Sequence, residues 1–231
     1  MYLYDVKNIW RQNKWQWIIW IFVIAFLLFM IVHSLNIINI NSVWESLMGN
    51  ELFFMPFPYF FICGFYLLIN GNYLYQQRSK TISIVLTRVS SRKQWLFGKL
   101  FFTIVMCTSY CLLLILLVHI AVFLKHGNFR YDHYTAYTFF TVFLTLLICG
   151  LFQTIYILKV KPIQAFFVVY GLLILPVWID APFLPGYYSF ISNTLITPHE
   201  VNHSGYLFFF TIITICLIML AIKQIRHKNF F

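Results

Sequence analysis

Six long apolar stretches divide this chain, and the basic residues between them fall almost entirely on alternate sides. Burying about 20 consecutive apolar residues in hydrocarbon is strongly favourable, and a helix of that length crosses its thickness of about 30 Å. The stretches run near Trp15 to Leu35, Leu52 to Tyr75, Leu96 to Leu124, Tyr137 to Leu158, Ile163 to Ile179 and Tyr206 to Ile222. Lys and Arg are retained in the cytoplasm during insertion, so the partition of charge tests the reading. On one side lie Lys7, Arg11 and Lys14 of the head and Arg78, Lys80, Arg88, Arg92, Lys93 and Lys99 of the second connection. Lys159 and Lys161 of the fourth connection and Lys223, Arg226 and Lys228 of the tail join them, fourteen of the sixteen basic residues. Lys125 and Arg130 fall opposite, together with Glu45, Glu51, Asp132, Asp180 and Glu200. The expected fold class is all-α, a polytopic membrane protein of six transmembrane helices with both the N and C termini cytoplasmic.

At 61% hydrophobic and 10% charged, the chain lacks the polar surface a soluble domain of 231 residues needs. The whole of 1–231 is therefore expected to be one transmembrane domain. Its longest pieces outside the spans, 76–99 and the outer loop 180–205, are too short to bury a core of their own. A net charge of +10 raises the question of nucleic acid. The cations hug the predicted membrane boundaries, however, where anionic headgroups attract them, so membrane lipid is the expected partner and nucleic acid is not. The first apolar stretch is full length with no small-residue cleavage site after it, so it is expected to stay attached as the first span. Cys63, Cys107, Cys111, Cys149 and Cys216 all lie in predicted spans, where they behave as small apolar residues. Trp15, Trp17, Trp20, Trp44, Trp95 and Trp178 cluster near span ends, as headgroup anchors do.

In residues 1–14, Leu3, Val6 and Trp10 share a flank at helical spacing among charged neighbours, which predicts an amphipathic helix in the cytoplasmic interface. The second connection holds an apolar, β-branched centre from Thr81 to Val89 between cations. That centre is too short to span and too apolar to be a solvated loop, so it is expected to form a short docked helix. Ser90 and Ser91 offer an N-cap for a helix that starts near Arg92 and runs into the third span. Outer prolines, Pro56 and Pro58 and then Pro182, Pro185 and Pro198, favour kinked or re-entrant backbone. Inside the spans polar groups are few: Asn70, Asn72, Thr103, Thr108, Ser109, Thr145, Gln153, Thr154, Thr211 and Thr214. No span carries a carboxylate or Lys at its midplane, which argues against a carrier driven by protons or sodium.

The segment Leu86, Thr87, Ser90, Ser91, Arg92, Trp95, Gly98 and Lys99, with six spans and a basic head helix, resembles membrane subunits of type-2 ABC exporters. The acidic residue many of those relatives carry before the apolar pair is replaced here by Thr81 to Ile84. The resemblance implies a cytoplasmic coupling helix between spans two and three that sits in a groove of an ATPase subunit. Ile82, Ile84, Val85 and Leu86 would fill that groove, Arg88 and Arg92 would pair with its acidic rim or with lipid phosphate, and Thr81 and Ser91 belong to the same coupling segment. It further implies two ATPase copies, which hold ATP and Mg, and a second permease half, identical or homologous. The chain itself has no nucleotide site: Gly98-Lys99 lacks the glycine-rich turn that cradles phosphates. Small members of the family serve export of, or immunity to, antimicrobial or toxin peptides, so a peptide cargo is the first expectation, with lipid or drug efflux next.

A second motif, His199-Glu200-Val201-Asn202-His203, matches the H-E-x-x-H zinc signature, in which two His bind metal and the Glu deprotonates bound water. It makes an outer-face membrane metallopeptidase the rival reading. Against it, no further His or carboxylate follows until His227, and Pro198 and Gly205 crowd the motif. A non-catalytic sensor or scaffold is the third possibility. Richness in Ile, Asn, Lys and Phe points to an AT-rich bacterial genome, with the Gram-positive cell membrane as the expected location.

Overall fold

The computed structural model describes residues 18–19, 21–29, 57–80, 92–127, 134–157, 160–179, 184–185 and 203–227. Among these residues all regular structure is helical. We name the helices α1 (residues 21–29), α2 (Phe57–Lys80), α3 (Arg92–His126), α4 (Tyr134–Ile157), α5 (Pro162–Ile174, followed by a 3₁₀ turn Leu175–Val177) and α6 (His203–His227). Each falls on one of the six apolar stretches. Two of them, α3 and α4, are long and apolar enough to cross a membrane by length and composition. The interfacial helix expected over 1–14 lies outside the described residues.

Local chemistry sets the helix ends. Pro58 is the second residue of α2 (Phe57–Lys80), in a first turn where its missing N–H is not needed. α3 stops at Gly127, whose φ of 68° is the left-handed cap conformation and whose N–H bonds Phe123 O at 2.9 Å. Pro162 opens α5, and Gln164 Oε1 accepts the Lys161 N–H at 3.3 Å. The fifth stretch is shorter as an α-helix than the apolar run suggests. Pro176 supplies no N–H, so the chain tightens into the 3₁₀ turn before Trp178.

α4 is the hub: it packs against α2, α3, α5 and α6. α2 also meets α3 and α5, and α3 also meets α6. Ile24 and Leu28 of α1 belong to the same apolar core as Tyr66, Leu67, Cys107, Leu146 and Leu173. α6 has a small cluster of its own, Phe210 against Ile148 with Leu144, Ile213 and Leu217 beside them.

Among the described residues many large apolar side chains are exposed. Phe22 is 72% exposed, Phe208 70% and Trp178 74%. Along α3 the exposed positions Phe97, Phe101, Leu112, Leu116, Ile120 and Phe123 form one face. The polar residues on that face, Thr108 and Ser109, donate their hydroxyls to Ile104 O at 2.9 Å and Val105 O at 2.8 Å, within their own helix. Such hydroxyls ask nothing of the surroundings, which hydrocarbon requires.

Candidate functional site

Polar side chains gather inside the bundle instead. Asn70 on α2, Lys99 and Thr103 on α3, and Thr141, Thr145, Gln153 and Thr154 on α4 are all buried. Helical spacing explains the gathering: Tyr66, Asn70 and Tyr73 share one face of α2, Lys99 and Thr103 one face of α3, and Gly150, Gln153 and Thr154 one face of α4.

Two glycines let these faces approach. A Cβ on Gly71 would stand 2.6 Å from Gln153 Nε2, so the α4 glutamine lies in a notch of α2. A Cβ on Gly150 would collide with the Tyr66 hydroxyl and lie 3.1 Å from Thr103 Cγ2, so the α2 tyrosine lies in a notch of α4. The two helices thus exchange polar knobs through two small-residue holes, a packing mode common between membrane helices.

Hydrogen bonds then join three helices. Gln153 Nε2 donates to Leu67 O at 2.8 Å. Asn70 Nδ2 donates to Gln153 Oε1 at 3.2 Å and Gly150 O at 3.4 Å. Thr103 Oγ1 and Thr154 Oγ1 meet at 2.9 Å, while each also points at its own helix, Thr103 to Lys99 O at 3.0 Å and Thr154 to Gly150 O at 2.7 Å. Two hydroxyl protons serve these three contacts, so one threonine turns away from its own carbonyl whenever the pair is bonded. Asn70 already donates to Gly150 O, so releasing Thr154 toward Thr103 leaves that carbonyl covered. Asn70 Oδ1 and the hydroxyls of Tyr66 and Thr145 are buried with no hydrogen-bond partner, so the cluster holds unspent polar capacity.

Lys99 closes the cluster. It is 2% exposed, with Nζ 5.2 Å from the centre of the Tyr73 ring, and that ring packs on Phe102 at 4.2 Å. A cation over a desolvated aromatic face is held by the ring quadrupole. The sequence places Lys99 at the rim of the second connection; the structure sets it against the buried side of α3, one turn before Thr103.

Of the coupling residues expected from sequence, Arg92 is the first described residue of α3, while Thr81, Ile82, Ile84, Val85, Leu86, Arg88 and Ser91, with the expected Ser90-Ser91 cap, lie outside the described residues. The expected connection over 76–99 is trimmed by helix at both ends, α2 running to Lys80 and α3 starting at Arg92. His199 and Glu200 lie outside the described residues, and His203 is the first residue of α6. Among the described residues no three His, Cys, Asp or Glu side chains group to hold a metal. Cys107 and Cys111 are buried in the core, Cys107 with Sγ 3.7 Å from Phe143 O.

Sequence reasoning names Asn70, Thr103, Gln153 and Thr154 only as scattered polar residues. The signal that unites them is polarity at helical spacing in otherwise apolar runs, paired with Gly71 and Gly150. No family model, curated protein or solved structure matches this chain.

Proposed function

We propose that this chain is the transmembrane permease subunit of an ATP-driven ABC exporter in a bacterial, Gram-positive cell membrane, with six spans and both termini cytoplasmic. ATP and Mg belong to two copies of a separate ATPase subunit docked at Thr81 to Arg92, and a second permease half completes the pathway. An amphipathic peptide of the antimicrobial or toxin kind is the proposed cargo, since a Phe- and Tyr-rich interior with few polar groups disfavours sugars and ions.

One observation carries the reading: α3 starts at Arg92, where the proposed docking segment ends, and continues for 35 residues. At 1.5 Å per residue it is about 50 Å long, against about 30 Å of hydrocarbon. A push at its foot is therefore delivered across the bilayer by one stiff rod. The apolar outer faces and the sequestered polar cluster support a lipid environment for that rod.

The test is a mild-detergent pull-down of the tagged chain with mass spectrometry, wild type against Leu86→Asp/Arg92→Glu. An ATPase recovered with wild type and lost with the double variant is the expected result. Recovery of no ATPase with the wild type in several mild detergents would sink the reading and make zinc content the next measurement.

A further inference from the structure

We infer that the cavity between α4, α5 and α6 is a binding pocket for one hydrocarbon tail, the acyl chain of a lipid or lipid-like amphiphile. Its volume is about 230 Å³. α5 and α6 each pack on α4, and the cavity lies between them. Helical spacing builds its walls: Val169 and Leu172 are one turn apart on α5, Phe210 and Leu217 share one face of α6, and Cys149 and Phe152 form the floor on α4. Those walls are firmly held. α6 packs on α4 as extensively as α2 does, Phe210 is fully buried against Ile148, and Leu217 packs against the main core. The space is therefore a shaped recess in a packed bundle, not slack between helices.

The chemistry of the lining selects the occupant. Among the described lining side chains the Cys149 thiol is the one polar group, and it is a weak donor. A buried water needs roughly two to four polar partners, so water is not retained there. An apolar cavity of about 150 Å³ already takes up benzene or xenon, and this one is larger. Left empty, its walls forgo the dispersion contacts that a hydrocarbon group restores. Cys149, Val169 and Phe210 are buried, whereas Phe152, Leu172 and Leu217 are half-buried, so the recess opens to the side of the bundle. The surrounding helices expose apolar side chains, Phe167 and Val168 on α5 and Phe209 and Ile212 on α6. Phe210 to Leu217 are the central turns of α6, which in the proposed bilayer setting lie at the depth of acyl chains rather than headgroups. The tail of a resident lipid and that of an amphiphilic cargo share this chemistry. The inference rests on the membrane part of the proposed function and involves neither the ATPase nor its docking segment.

Photolabelling of the full chain in lipid nanodiscs tests it, using a fatty acid with a diazirine near the end of its tail and residue-level mapping of the adducts. The expected result is label concentrated on Phe152 and Leu217, in excess of that on Ile215 and Met219, exposed residues of the same turns of α6 that report ordinary lipid contact. Cys149→Phe fills the recess from its floor and should abolish the excess while leaving the label on Ile215 and Met219 unchanged. Leu172→Trp, intruding from the α5 wall, is an independent second filler, and Cys149→Ala, which leaves the recess open, should retain the excess. A phosphatidylglycerol with the same diazirine on one acyl chain separates the sources. Excess label from it assigns the recess to resident lipid, and excess from the fatty acid alone assigns it to a diffusible amphiphile. Label on the recess no stronger than on Ile215 and Met219, or an excess that survives both fillers, overturns the inference. Label absent from the recess and from Ile215 and Met219 alike overturns the membrane reading with it.

Discussion

Gln153 occupies the space that Gly71 leaves empty: a Cβ there would stand 2.6 Å from Gln153 Nε2, the atom that donates to Leu67 O. A glycine on one helix and a glutamine on another are thus one structural unit, and either can be changed to test the other.

Gly71→Ala should force the Gln153 amide out of its notch and break its bond to Leu67 O. The expected cost is about 1–2 kcal/mol, that of one buried interhelical hydrogen bond and the group left unsatisfied. It should appear as a lower thermal midpoint in detergent, and adding Gln153→Ala should remove most of the further loss due to the alanine. A neutral Gly71→Ala would show that the notch is not filled.

The threonine pair makes a subtler case. Thr103→Val and Thr154→Val each remove the 2.9 Å contact while keeping shape. Each should cost about 0.6 kcal/mol, the average for hydrogen bonds between membrane helices. The double variant should cost little more than either alone, because the shared bond can be lost only once. Strict additivity in this cycle would mean that each hydroxyl serves only its own helix.

The helical runs were legible because each described helix coincides with one of six long apolar stretches of the sequence. α5 reads differently because Pro176 ends its α-helical hydrogen bonding inside an unbroken apolar run. The cluster was not legible as a site, since Asn70 and Gln153 are 83 positions apart and only packing brings them together. Lys99 shows a second limit: its place near a span end is read from the sequence, but its burial over Tyr73 depends on helix phase and on the packing of α2 against α3.

Lys99 gives a third prediction. Lys99→Met keeps the apolar stem and removes the charge held over Tyr73, so folded protein should still reach the membrane, with a thermal midpoint lowered by the loss of a cation–π contact of about 0.5–2 kcal/mol. Lys99→Glu sets a carboxylate against the electron-rich ring face at a site 2% exposed. It should cost about 3–5 kcal/mol, enough to abolish folded protein in the membrane. Equal behaviour of the two variants would mean that the side chain reaches solvent.

The membrane reading itself can be tested at a native residue. Cys216 is exposed on α6 between Ile215 and Met219, both exposed, so its surroundings decide what collides with it. Hydrocarbon dissolves oxygen and excludes charged or strongly polar metal chelates, whereas water does the opposite. A spin label at Cys216 in lipid nanodiscs should therefore relax strongly with oxygen and weakly with a water-soluble nickel chelate. Leu112→Cys, on the exposed face of α3 in a Cys216→Ser background, should give the same pattern. Chelate-dominated relaxation at both sites would place these apolar faces in water. The exposure of so many Phe, Leu and Ile side chains would then need a protein partner rather than a bilayer to cover it.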